Sequence, residues 1–410
     1  MVQLATPVST GPVALPSRLP SLTGMRFISA AMVFLTHALS ASLFASMEAQ
    51  VAFMNVVLQG GWAAVSYFFV LSGFVLTYAQ RATDTPKTFW RRRFLKIYPN
   101  YLVTLIAAVL LTMFVANMAF DGGTTALHAL LLQAYSPSLA VRTALNTPAW
   151  SLSCEALFYL CFPLLAWAVN RIRPQRLWLW TGIVVAAIFA MPLVAKLLPA
   201  QPPIPGFGLT ELEMWFIMQF PPVRMLEFVF GMVLARIVMT RRRVPLGLGG
   251  ALAFSIAVYV LAQFLPMHYR VVAISVIPVG LVVMAGAVRD TQGTTNWLGN
   301  KVFTWLGETS YAFYMWHFLV LIYIRQLFGS PTGWSTPAAY GMMALLFGIT
   351  VLLSWALYAL VERPVMQKFA YSRRRPRPGA GSTSGGPGAG TPQPAATPEP
   401  AAAGAATPAS

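Results

Sequence analysis

Charge is what this 410-residue chain has least of. Asp, Glu, Lys and Arg together make up 10% of it, against about a quarter in a soluble domain. Hydrophobic residues reach 57% and the mean hydropathy is +0.64. A soluble globular domain is thereby excluded, and a polytopic membrane protein is expected. Acidic residues number 11 against 28 basic ones, which leaves a formal net charge of +17. There are four histidines and two cysteines. Cys154 and Cys161 fall on one expected helix about 10.5 Å apart along its axis, too far for a disulfide. No Cys/His cluster has metal-ligand spacing, so neither a structural metal nor a redox pair is expected. No internal repeat of the kind many transporters carry is visible. The first twenty residues lack the basic start and continuous apolar run of a secretory signal.

What is present is a succession of apolar stretches, about ten of them. They lie near 22–43, 62–80, 100–118, 148–169, 177–197, 217–238, 246–265, 271–288, 303–325 and 338–361. The expected fold is an all-α integral membrane protein of about ten transmembrane helices. Residues 1–20 form a polar lead, 21–370 the membrane domain, and 371–410 a tail. That tail is rich in Ala, Pro, Gly, Ser and Thr, cannot bury a core and is expected to be disordered. With the N-terminus in the cytoplasm, the inner segments hold 23 of the 28 Lys and Arg residues. This positive-inside bias places both termini in the cytoplasm. It also explains the net charge without a nucleic-acid partner. The outer loops 119–147 and 198–216 are the longest, and a large partner could be met there.

The first expected span carries two ionisable groups, Arg26 and His37. Their spacing is roughly 16 Å along a helix, which puts Arg26 at one membrane face and His37 near the middle of a core about 30 Å thick. Intramembrane ionisable groups point to function by default. An Arg can grip a phosphate bidentately, and a His can carry a proton near neutral pH. A snorkelling Arg and a hydrogen-bonded core His would leave the same trace. Ahead of the third span, Arg91, Arg92, Arg93 and Lys96 make a compact basic patch. It either satisfies the positive-inside rule alone or, beside Arg26, holds a phosphorylated cytosolic ligand.

Glu155 lies in the phrase PAWSLSCEALFYLCFP, accompanied by Ser151, Ser153, Phe158 and Tyr159. Counted from outside it reaches about 10–12 Å deep, comparable with His37. A carboxylate at the level of an imidazole could orient it and stabilise its charged form. Otherwise it is a structural hydrogen bond between helices. Arg224 and Glu227 are i,i+3 neighbours and read as a structural ion pair. His317, well into the ninth span, could serve packing or catalysis equally. Glu362, beside Arg363 at the end of the tenth, reads as a helix-end feature able to pair with the inner basic patch. His128 and His268 fall in or near outer loops and read as ordinary surface residues.

These phrases, in this order, resemble the acyltransferase-3 family of integral membrane acyltransferases. The basic-x10-His pattern is met by Arg26 and His37, and FFVLSGFVL by residues 68–76. The basic run with I-x-P-x-Y is met by Arg93, Lys96, Ile97, Pro99 and Tyr101. WSLS-x-E-x-x-FY spans 150–159, and SY-x-x-Y-x-x-H is met by Ser310, Tyr311, Tyr314 and His317. The resemblance covers about residues 20–368. Lys96 stands where Arg is commoner, and Ala156 follows Glu155 where a second acidic residue is frequent, which leaves one carboxylate. A fused esterase-like domain is not expected.

The resemblance implies a bacterial inner-membrane, multi-pass O-acyltransferase. Its donor would be an acyl-coenzyme A, usually acetyl-coenzyme A, with no permanently bound cofactor. Its acceptor would be a hydroxyl of an extracytoplasmic or lipid-linked glycan such as lipopolysaccharide or exopolysaccharide, met among membrane lipids. Arg26, Arg92, Arg93 and Lys96 would hold the donor phosphates. His37 would act as general base or transient acyl carrier, with Glu155 orienting it and Ser153 helping to position the group. Tyr159, Arg224, Glu227 and His317 would support substrate or structure. The alternative from a different class is a transporter or flippase using His37 and Glu155 as a proton relay. A non-catalytic scaffold would explain the basic loops but not the buried His and Glu.

Overall fold

The computed structural model describes residues 16, 18–81, 84–199, 202–293, 297–329 and 333–370. The tail expected over 371–410 and most of the 1–20 lead fall outside them. Helix α1 is Pro20–His37. It opens on a proline, whose missing N–H is one the first turn leaves unbonded anyway. It closes through a 3-10 turn at Ala38–Ala41 and left-handed Ser42, φ 48°. Helix α2 is Met47–Tyr78, with the Ser46 hydroxyl accepting from the Ala49 amide. Helix α3 is Pro86–Phe114, started by a reciprocal cap between Thr85 and Thr88. Two short helices follow, α4 Gly122–Ala129 and α5 Leu139–Thr143, then α6 Trp150–Asn170 and α7 Leu177–Ala195. After α8 Glu211–Met218 come α9 Pro221–Met239, α10 Leu248–Ala262 and the single turn α11 Met267–Arg270. The last three are α12 Ala273–Thr291, α13 Lys301–Leu319 and α14 Thr336–Leu357. Both α13 and α14 run on into π-helical turns, Val320–Ile324 and Tyr358–Glu362.

Seven helical runs among the described residues are long and apolar enough to cross a membrane. They contain α1, α2, α3, α6, α7, α12 and α14. The chain is thus a multi-pass, all-helical membrane protein. The other three expected stretches are also helical but fall short for separate reasons. The stretch 217–238 is broken at Gln219–Phe220 between α8 and α9, and α9 carries Arg224, Glu227 and Arg236. Helix α10 has only 15 residues. Helix α13 carries Glu308, His317 and a run of hydroxyls.

Burial separates an inner set of helices from an outer one. The spanning window of α2 is 78% buried and that of α12 is 72%, against 28% for α3 and α7 and 22% for α14. The outer set therefore turns its apolar side chains outward, where lipid would lie. Helices α2 and α9 cross in backbone contact. A Cβ on Gly73 would sit 1.9 Å from the Phe228 carbonyl oxygen, and one on Gly231 would sit 1.9 Å from that of Val70. Small residues at such crossings let backbones approach closely where no hydrophobic drive exists between helices. A second core, of Phe27, Phe34, Phe313 and Phe347, joins α1, α13 and α14. Phe34 meets Phe347 edge-to-face at 5.2 Å. Phe27 and Phe34 also pack on Phe313 at 5.7 and 6.0 Å, which ties α1 to α13, and both candidate histidines lie on those two helices.

Candidate active site

Ser151, Glu155 and Tyr159 are four residues apart and share one face of α6. That face borders a cavity of about 160 Å³ closed by residues of α1, α2, α3 and α13. Arg26 enters it from α1, Arg93 and Lys96 from α3, and Tyr311 and Tyr314 from α13. The Tyr159 hydroxyl donates to Glu155 Oε2 at 3.1 Å and lies 3.3 Å from Ser72 Oγ. The indole of Trp90 donates to the Tyr159 carbonyl at 2.9 Å. Tyr311 donates to the Ile97 carbonyl at 3.0 Å, and Tyr314 to that of Pro148 at 3.2 Å. These bonds lock the aromatic wall. Three cations and one carboxylate, Glu155, border the cavity, and one of the cations, Lys96, is already paired with a carboxylate outside the lining; the excess of positive charge that remains suits an anion.

Lys96 is ion-paired with Glu362, a carboxylate only 1% exposed. Asn100 donates to the other oxygen of Glu362 at 2.6 Å. The helix-end carboxylate thus does meet the basic patch. Nothing in the sequence pattern singles out Asn100, which sits one turn beyond Lys96 on α3. Arg92 does not reach the cavity. Its position is about 100° around the helix from Arg93, and it pairs instead with Asp84 at 2.6 Å.

His37, the last residue of α1, meets His317 on α13. Nδ1 of His37 lies 2.9 Å from Nε2 of His317, and Nδ1 of His317 lies 2.7 Å from the Tyr314 carbonyl oxygen. His317 is fully buried, its ring stacked against Phe313 at 6.4 Å. The pair lies one helical turn beyond Tyr314 on α13.

Further placements differ from the sequence expectation. Glu155 is level with Arg26, in whose field and that of Arg93 it stands, and its hydrogen-bond partner is Tyr159. The helix α1 begins only six residues before Arg26 and ends at His37. His37, roughly 16 Å further along α1 than Arg26, meets His317 of α13 and not Glu155 of α6. Ser153 is 1% exposed and does not line the cavity. It is two residues from Ser151, hence about 200° around the helix, and its hydroxyl has no hydrogen-bond partner among the described residues. His128 and His268 are not surface residues, being 0% and 8% exposed. Neighbouring segments cover them: His128 Nε2 donates to the Val141 carbonyl at 2.8 Å, and His268 Nε2 lies 3.2 Å from Glu213 Oε1. Burial lowers the pKa of the His128 imidazole below its ordinary value.

Arg224 and Glu227 stand apart from the cavity. They are 2.9 Å apart and each 1% exposed, with the Arg224 guanidinium 4.9 Å over the Phe69 ring. Cys154 and Cys161 are both free thiols.

A family profile described as an acyltransferase domain matches residues 19–359. Acyltransferase MdmB of Streptomyces mycarofaciens is 38% identical over 368 residues, covering 88% of this chain and 94% of that protein. Exopolysaccharide production protein ExoZ of Rhizobium meliloti is 26% identical over 314 residues, 75% of this chain and 90% of that protein. O-acetyltransferase OatA of Staphylococcus aureus is 21% identical over 378 residues, 86% of this chain but 58% of that protein. No solved structure matches the chain.

Proposed function

The chain belongs to the acyltransferase-3 family, and from that membership we propose that it moves an acyl group from cytosolic acetyl-coenzyme A to a hydroxyl of an extracytoplasmic or lipid-linked carbohydrate. The observation that carries this reading is the convergence of Arg26, Arg93 and Lys96 on one cavity, with His37 placed further along the same helix as Arg26. Three cations suit the phosphates of the donor. The imidazole suits acid–base or nucleophilic work on the thioester. The relatives named for O-acetylation and for exopolysaccharide production support an oxygen acceptor on a carbohydrate. In this reading about ten helices cross a bacterial inner membrane with both termini inside.

Two routes use the same atoms. In the first, His37 takes the proton of the acceptor hydroxyl as its oxygen attacks the thioester carbon. The C–S bond breaks and the proton passes to the departing thiolate. In the second, the imidazole attacks first, coenzyme A leaves as the thiol, and the hydroxyl then removes the acyl group from nitrogen. An acyl-histidine adduct after donor alone marks the second route; a strict need for the acceptor marks the first. Glu155, bonded to Tyr159, would shape the charge of the donor site.

The reading is tested by mass spectrometry of ester-preserving glycan extracts from cells carrying the wild-type protein or His37→Ala. Loss of about 42 Da units in the variant, the mass of one transferred acetyl group, is expected. Unchanged glycans, with the variant present in the membrane and no donor hydrolysis by purified wild-type protein, would overturn it.

A further inference from the structure

We propose that His317 is a positioning residue that holds His37 in its Nδ1–H tautomer and leaves Nε2 as the reacting nitrogen. The inference rests on the reading of His37 as the reacting group. It starts from the backbone. The Tyr314 carbonyl oxygen can only accept, so the His317 Nδ1 at 2.7 Å from it carries the hydrogen and donates. The opposite tautomer would press a nitrogen lone pair against a carbonyl lone pair in a fully buried site. In the neutral ring the second nitrogen, Nε2, is then bare and accepts. Its neighbour at 2.9 Å, Nδ1 of His37, must therefore donate. One carbonyl fixes two imidazoles in sequence, and the lone pair of His37 is confined to Nε2.

The chain of bonds ends at a peptide carbonyl, which cannot pass a proton on. The pair is thus a clamp and not a conduit. A proton taken up at Nε2 leaves from Nε2, which suits return to a thiolate and disfavours a relay across the membrane. The positive charge present in between is shared with the bare Nε2 of His317 through the same bond.

The protein has four histidines, so 15N-histidine labelling of the full chain in lipid nanodiscs gives a resolvable set. The His37 signal is assigned by its loss in His37→Gln. Near neutral pH the wild type is expected to show His37 as Nδ1–H. In His317→Leu the His37 ring is expected to leave that form. In His317→Gln, whose amide oxygen still accepts, it is expected to keep it. Transfer in the leucine variant should fall by a factor on the order of 10²–10⁴, as when a catalytic histidine loses its tautomer partner, with the donor KM changed less than about threefold. The glutamine variant should recover a large part of that loss. His37 found as Nε2–H in the wild type overturns the proposal, and the wild-type spectrum alone can do so if a variant fails to insert. So does equal inactivity of the two folded variants. The spectrum judges the tautomer whether or not acyl transfer is found, so a failure of the proposed function shows separately.

Discussion

Glu155 and Glu227 are both carboxylates in apolar helices under the influence of arginine, and the protein uses them in opposite settings. Glu155 faces a cavity of about 160 Å³, and its cations, Arg26 and Arg93, come from two other helices. Glu227 is 1% exposed beside a void of about 10 Å³, and its cation, Arg224, is on its own helix at i,i+3. A pair supplied by one helix forms when that helix forms and then packs as a unit. Charges drawn from three helices are held only by the assembled fold, and they leave room for something else. Space next to the charge, more than charge itself, separates a site from a strut.

The sharpest way to break this comparison is to neutralise each carboxylate. Glu155→Gln should lower acyl transfer by about 10- to 100-fold, the worth of interactions with a charged group at the donor site, with its melting temperature in detergent within about 2 °C of the wild type. A variant that unfolds instead would make Glu155 a strut as well. Arg224→Met should cost about 3–5 kcal/mol of stability, because it leaves Glu227 buried and unpaired. The double variant Arg224→Met, Glu227→Leu should recover most of that and keep transfer within about threefold. A double variant that is stable yet inactive would move the pair into the site.

A smaller contrast lies within one turn of α3. Arg93 lines the cavity, whereas Arg92 is tied to Asp84 with both side chains partly exposed. Arg93→Ala should raise the donor KM about 10- to 100-fold, the worth of a charge-assisted hydrogen bond. Arg92→Ala should change it less than about threefold, since exposed pairs contribute ~1 kcal/mol or less. Equal effects in a donor titration would place both arginines on the ligand.

These contrasts mark where sequence reading succeeds and where it stops. Helical spacing is local, so the shared face of Ser151, Glu155 and Tyr159 and the adjacency of Arg93 and Lys96 can be read directly. Complementary charge at a helix end made the meeting of Glu362 with the basic patch foreseeable. The partner of His37 could not be read, because it lies 280 residues away and depends on how α1 slides against α13. The expected meeting of Glu155 with His37 rested on counting residues along two separate helices, a count that does not fix which faces of α1 and α6 turn toward one another. The rotation of α6 decided between Ser151 and Ser153, and hydropathy carries no information on rotation in a helix apolar all round. Polar loops suggested exposed histidines, yet His128, on α4 itself, is buried and bonded to Val141 of α5.

His128 supplies the mildest test and a third kind of buried titratable group, one whose positive form is disfavoured by burial and that makes no ion pair among the described residues. Its Nε2 donates to the Val141 carbonyl at 2.8 Å, and its own carbonyl accepts from the Tyr101 hydroxyl at 2.7 Å. Burial lowers its folded-state pKa below the ordinary 6.5. The sign follows from linkage. Above about pH 6.5 the imidazole is neutral in both folded and unfolded chains, and the contribution to stability is complete. As the pH falls below that, the unfolded chain gains a proton that the folded chain refuses. Stability then declines, by at most about 1.4 kcal/mol per pH unit, until the lowered folded-state value is reached. Thermal unfolding of wild type and His128→Gln between pH 7.5 and 5 should therefore give a steeper loss for the wild type. Parallel curves would mean that the segment around α4 and α5 opens to water before the membrane helices unfold, and that the burial of His128 is not coupled to the rest of the fold.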